Sequence, residues 1–188
     1  MTDNYNKIEK ETLDRLTKKL GLTNPHQLPR VTKVVVSTGV GSIKEDKKAI
    51  DAVAQDLTLI CGQKPKTNLS KKSVSAFKLR ENQPVGLTVT LRGRRMYDFL
   101  SRLTNVAMPR IRDFKGLSNK AFDGKGNYCV GMSEHVIMPE IKYDTINQSF
   151  GFQVNINTSA KNDENAKALL LELGFPFEKT NIKEKNGS

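Results

Sequence analysis

Residues 71–84, KKSVSAFKLRENQP, set four cations, Lys71, Lys72, Lys78 and Arg80, around a single aromatic residue, Phe77. Lysine and arginine neutralise phosphates and release their counterions. An exposed phenyl ring can pack on a ribose or a base. Residues 110–126 repeat the combination, with Arg110, Arg112 and Lys115 beside Phe114 and Phe122. The rings have a second use, which is to pin each loop to the core. For Phe77 both uses stay open. For Phe114 and Phe122 pinning is the expectation.

Other chemistry finds little support. STGVGS at 37–42 stands where a strand gives way to a helix, the setting of a phosphate-binding glycine loop. The match is only G-x-G, and Glu45 and Asp46 would oppose a phosphate, so a tight turn is the better reading. The two histidines, His26 and His135, stand alone and read as structural or surface residues. Cys61 and Cys129 lie far apart in apolar settings and read as buried free thiols. No His/Cys spacing suggests a metal site. Acids such as Glu134 and Glu140 have no nucleophile–base partner, so no catalysis and no cofactor are expected.

The chain has 188 residues, 31 Lys and Arg against 20 Asp and Glu, and a net charge of +11. With a pI near 9.7, that surplus favours a polyanion, nucleic acid before anionic membrane. Mean hydropathy is −0.51, and no apolar run is long enough to span a bilayer. The first residues, MTDNYNKIEKETLDRL, lack an apolar signal core and are too acidic for a transit peptide, so the cytoplasm is the default compartment. The length suits one domain over 1–179 with a polar tail at 180–188.

The elements that must position these residues follow from periodicity. Helices are predicted over 5–20, over a segment opened by a Ser42–Glu45 capping box, over 94–107 up to Pro109, and over 163–173. Their inner stripes include Ile50, Val53, Ala54 and Leu57, then Met96, Tyr97, Leu100, Leu103, Thr104 and Ala107, then Ala166, Leu169, Leu170 and Leu173. Strands are predicted over 31–37, 64–69, 85–92, 127–132 and 152–158. The clearest of them alternate, with Val85, Leu87, Val89 and Leu91 on one face and Thr88, Thr90 and Arg92 on the other. The expected fold is α+β, a two-layer sandwich with helices on one face of a largely antiparallel sheet and two long basic loops.

A one-sided sheet leaves a second face. Lys33 and Ser37, then Thr88, Thr90 and Arg92, then Gln153, Asn155 and Asn157 fall on it. Hydroxyls, amides and cations can meet phosphates, sugar hydroxyls and base edges. The alternative is an ordinary solvated face. The aromatics that stack bases in the common RNA recognition motif are missing from these positions, so RNA held here would be held by backbone and groove contacts.

Six collinear motifs, GQKP, KKSVSAFKLRENQPVG, VTLRGRRMYDFL, PRIRDFKGLS, FDGKGNY and LLLELGFPF, resemble the bacterial-type family of large-subunit ribosomal protein five, over residues 5–179. The resemblance implies a structural protein of the cytoplasmic large ribosomal subunit. It would bind 5S rRNA through its sheet, with Lys33, Ser37, Gln63, Thr90 and Arg92 as the matching positions. Ser37 stands where the family usually has asparagine, so that contact would be water-mediated or lost. The 71–84 loop would reach P-site tRNA through Lys71, Lys72, Ser73, Phe77, Lys78 and Arg80. Arg110, Arg112 and Lys115 would face a small-subunit head protein across an intersubunit bridge, and 23S rRNA would lie nearby. The resemblance implies no membrane, cofactor or small-molecule substrate. The rival readings are a free regulatory RNA binder and a nucleotide-binding enzyme using residues 37–42.

Overall fold

The computed structural model describes residues 12, 13, 15–17, 19–21, 24–43, 46–141 and 149–178. Five strands, β1 (Val31–Gly39), β2 (Lys66–Leu69), β3 (Pro84–Leu91), β4 (Tyr128–Met132) and β5 (Phe152–Thr158), form one sheet in the order β2-β3-β1-β5-β4. All four pairings are antiparallel. The expected alternation produces a one-sided sheet. Val34 and Val36, Leu87, Val89 and Leu91, Tyr128 and Val130, and Val154 and Ile156 are buried on one face. Because side chains alternate at every residue, their sequence neighbours must take the other face.

Helices cover the apolar face. In the predicted 5–20 helix, residues 12, 13, 15–17, 19 and 20 are helical (α1), with Leu16 fully buried; the rest of that segment lies outside the described residues. Next comes α2 (Lys47–Cys61), which buries Ile50, Val53, Leu57 and Ile60 against the core. Its start differs from the expected capping box. The N-cap is Asp46, whose carboxylate accepts from Lys48 N at 2.9 Å and Ala49 N at 3.2 Å. A carboxylate there also lies favourably against the helix dipole. Glu45 of the predicted box is outside the described residues. Gly62 closes α2 in the left-handed conformation, with φ 64°.

The helix predicted over 94–107 is divided. The α-helical part, α3 (Gly93–Arg102), passes into a π-helical turn at Leu103–Ala107 and a 3₁₀ turn at Met108–Arg110. Pro109 therefore does not end the helical run. It sits in the first turn of the 3₁₀ segment, where a missing N–H costs nothing. The predicted stripe Met96, Tyr97, Leu100, Leu103, Thr104 and Ala107 is buried throughout. The last helix, α4 (Asp163–Glu172), buries Ala166, Leu169 and Leu170, and Gly174 follows with φ 87°. Together the layers make the expected α+β architecture, while the predicted tail at 180–188 lies outside the described residues.

Candidate nucleic-acid interface

The outward positions of the sheet fall into register. Ser37 pairs with Thr88 on one side and Gln153 on the other, and Lys66 continues the row beyond Thr88. One step along, Val35 lies between Thr90 and Asn155, with Cys129 beyond Asn155. Lys33 pairs with Asn157 and is one step from the Val34–Leu91 pair, which places it beside Arg92. Among the described residues, no strand position is acidic. The face therefore offers cations, hydroxyls and amides with no carboxylate among its strand positions.

The five positions expected to touch RNA come together. Lys33 and Ser37 lie on β1 and Thr90 on β3. Arg92 follows β3 in extended conformation and is exposed. Gln63 arrives from a different element: the left-handed turn at Gly62 ends α2 and delivers it to the sheet, where its Nε2 donates to Thr90 O at 3.5 Å. Four further residues on this face escaped the sequence reading. Lys66 and Asn68 sit on β2, too short at four residues to show a clear alternation, and Asn68 Nδ2 donates to Thr88 Oγ1 at 2.9 Å. Asn127 stands beside Asn157, its Oδ1 accepting from Asn157 Nδ2 at 3.3 Å. Cys129 is half-buried on the polar face, not sunk in the core, because Tyr128 and Val130 take the inward positions on β4. Cys61 is buried as expected, and burial pushes its thiol up to about 12.

The loop after β2 holds itself in shape. Val74 and Leu79 exchange backbone hydrogen bonds at 2.9 and 3.1 Å around a 3₁₀ turn at Ser75–Phe77. Ser70 N donates to Gln83 O, and Arg80 N donates to Gln83 Oε1 at 2.9 Å. Lys78 takes φ 48°, the left-handed region. Lys71, Lys72, Ser73, Lys78 and Arg80 are exposed, and Phe77 is 76% exposed. Of the two uses open to Phe77, pinning to the core is not the one adopted.

The second basic segment behaves differently. Phe122 packs on Tyr128 and Phe177 with ring centroids 4.5 and 5.9 Å apart. Phe114 also packs against the core. Leu117 is buried and exchanges backbone hydrogen bonds with Pro176 and Glu178. The Asp163 carboxylate reaches across from α4 to accept from Gly124 N at 3.1 Å and Gly126 N at 2.9 Å. Asp123 accepts from the Asn127 side chain and from Asn127 N and Lys125 N, bonds that hold its carboxyl below the usual range. Arg110, Arg112 and Lys115 remain exposed on this tethered frame. A groove of about 590 Å³ runs between Arg110–Arg112 and the segment 131–137, which includes Glu134 and Ile137.

The glycine turn does not make a phosphate cradle. The N–H groups of Lys48 and Ala49 at the start of α2 already donate to Asp46. His26 is exposed, and His135 is fully buried, stacked on Phe150 at 4.0 Å with Asp56 at 3.7 Å from its Nε2. Desolvation lowers the His135 pKa, against the opposing pull of Asp56. Glu140 pairs with Arg102, while Glu134 lies exposed on the groove wall.

Two family models match the chain. One, described as Ribosomal protein L5, covers residues 24–80. The other, described as the C-terminus of the same ribosomal family, covers 84–177. Their boundary falls in the exposed basic loop, yet β1 lies between β3 and β5, so the two parts share one sheet. Three curated relatives carry the name Large ribosomal subunit protein uL5. That of Variovorax paradoxus (strain S110) is 52% identical over 162 residues, covering 86% of this chain and 90% of the relative. The Thermoanaerobacter sp. (strain X514) protein is 50% identical, covering 92% and 97%. The Shewanella sp. (strain ANA-3) protein is 49% identical, covering 93% and 98%.

Proposed function

The chain belongs to the ribosomal protein L5 family, and from that premise we propose that it holds 5S rRNA on the polar face of its sheet. It is a ribosomal protein of the large subunit, in the cytoplasmic ribosome, and not an enzyme. The observation that carries the finer reading is the face, with no carboxylate among its described strand positions, on which Lys33, Ser37, Gln63, Thr90 and Arg92 converge from three elements. Lys33 and Arg92 meet phosphates, and Thr90, Ser37 and Gln63 supply hydrogen bonds to sugar and base edges. Ser37 is too short to repeat an asparagine's reach, so its contact is either water-mediated or lost.

The exposed loop at 71–80 leaves the sheet between β2 and β3, at the end of β3 away from Arg92. It touches P-site tRNA through phosphate and sugar contacts. One ribosome must accept every tRNA, so base-specific contacts would be a handicap there. Arg110, Arg112 and Lys115, with the adjacent groove, face a small-subunit head protein, and 23S rRNA lies against the same region of the subunit. The pair of changes that tests this division is Thr90→Ala with Arg92→Ala against deletion of residues 73–80. The double substitution should weaken 5S rRNA binding by roughly tenfold to a hundredfold, since it removes one charged and one neutral hydrogen-bonding group. The deletion should leave 5S binding intact and lower tRNA occupancy of reconstituted ribosomes. Equal loss of 5S binding from both would defeat the division.

A further inference from the structure

The two edges of the sheet are guarded differently. The β2 edge is four residues long, follows Pro65 and opens on Lys66. A short edge strand flanked by proline and lysine resists the addition of another strand. The β4 edge is closed over its first half only. There Phe122 bridges to Tyr128, with Asp123 N donating to Asn127 O at 3.2 Å and Cys129 N to Ala121 O at 3.1 Å. Ahead of residue 121 the covering segment belongs elsewhere, since Leu117 bonds to Pro176 and Glu178. No described residue takes its place as a hydrogen-bonding neighbour of Gly131.

We propose that the open half of the β4 edge takes an extended, acidic segment of a protein partner as an added strand. This rests on the reading of Arg110, Arg112 and Lys115 as a protein-facing rim, and adds the chemistry of the partner and its mode of contact.

Strand parity supplies the backbone groups. Cys129 N points away from β5, and successive residues of an antiparallel ladder alternate, so Gly131 N–H and C=O point away as well. Neither has a hydrogen-bond partner among the described residues. Gly131 is exposed, and a Cβ built there meets nothing within 4 Å, so the approach to the edge is clear.

The groove of about 590 Å³ starts from this edge. Its lining joins Gly131 to the half-buried Ile111, Val136 and Ile137, and to the exposed Arg110 and Arg112. An added strand lies about 4.8 Å from β4. Backbone bonds to Gly131 hold it, alternate apolar side chains meet the aliphatic lining, and carboxylates meet the two guanidinium groups. Glu134 on the facing wall repels a carboxylate and so directs the acidic residues to the arginine side. The same carboxylate disfavours a nucleic acid, whose phosphates have no use for an unpaired strand edge.

The test uses the full chain and a blocked hexapeptide of alternating valine and glutamate, with a valine–lysine hexapeptide as control. Binding is followed at the Gly131 amide by NMR. The glutamate peptide should shift that signal, slow its hydrogen exchange and bind roughly tenfold more tightly than the lysine peptide. Gly131→Pro removes the edge N–H at a position where strands tolerate proline, and should weaken the glutamate peptide by roughly tenfold or more. Arg110→Ala/Arg112→Ala leaves the backbone intact, should weaken the same peptide by about fivefold to tenfold, and decides the matter if Gly131→Pro does not fold. No shift at Gly131, or equal affinity for the two peptides, would overturn the proposal. A dimer of the full chain that Gly131→Pro abolishes would also overturn it, by giving the edge to a second copy. Subunit association with Arg110→Ala/Arg112→Ala/Lys115→Ala separates the two readings. Weakened association without peptide binding would keep the protein-facing rim and remove the added strand, whereas normal association would remove the rim too.

Discussion

The two basic loops both set cations around phenylalanine, and they have opposite structural duties. Residues 71–80 hydrogen-bond to one another and to 81–83, and Phe77 is largely exposed. Residues 110–126 sink Phe122 into a cluster with Tyr128 and Phe177 and are tied to α4 by Asp163. A cationic, aromatic-bearing segment is therefore not one kind of object. Where its ring goes decides whether the loop is part of the framework or an appendage available to a ligand. The framework loop keeps Arg110, Arg112 and Lys115 on its rim, so it can present charge from a rigid base.

Truncation of the rings should separate the loops most sharply. Phe122→Ala removes a ring packed on two others and should cost about 2–3 kcal/mol of stability, read from urea unfolding. Phe77→Ala should stay within about 0.5 kcal/mol, as exposed positions do. Similar losses for both would erase the contrast. Backbone tolerance sharpens it further. Gly116 adopts φ 110°, and a Cβ there would lie 2.6 Å from Glu178 N, so Gly116→Ala should destabilise by at least about 2 kcal/mol. An unchanged melting temperature in that variant would mean the 110–126 segment is not pressed against 177–178 as described.

A smaller effect is expected from Asp163→Ala, which leaves two loop N–H groups without their acceptor. About 1–2 kcal/mol should be lost, and amide exchange at Gly124 and Gly126 should quicken. The smallest effect concerns pH. His135 is held neutral by burial, with its folded pKa below the usual 6.5. The unfolded chain thus binds the proton more readily. The contribution is full above about pH 6.5 and declines as pH falls through that value toward the folded pKa. Replacing His135 with Phe should flatten this decline; a wild-type and variant pair with parallel pH profiles would assign the acid sensitivity elsewhere.

Much of this is legible in the sequence, and the reasons differ by element. The strands at 85–92 and 152–158 announce their faces because a period of two survives over seven or eight residues. Thr88, Thr90, Gln153 and Asn155 can therefore be placed on one surface before any coordinates. Lys66 and Asn68 cannot, since a four-residue strand barely contains one period. Cys129 is misleading for a related reason: its apolar neighbours hide that it points the other way from Tyr128 and Val130. The cap of α2 misleads differently. Ser42 and Glu45 satisfy a recognised spacing, but Asp46, one residue before the helix, makes the bonds. The π turn at Leu103–Ala107 leaves no local signal, because its buried residues keep the helical stripe. Asp163's grip on Gly124 and Gly126 is a contact across nearly forty positions, which periodicity cannot report.

RNA recognition, as proposed, belongs to the shape and chemistry of the sheet face and not to the net charge of +11. The most direct test is titration of the purified protein with 5S rRNA, with tRNA and with a scrambled RNA of equal length, over a series of salt concentrations. 5S binding should persist at salt where the scrambled RNA has dissociated. Equal affinities for the three RNAs, falling together as salt rises, would contradict it.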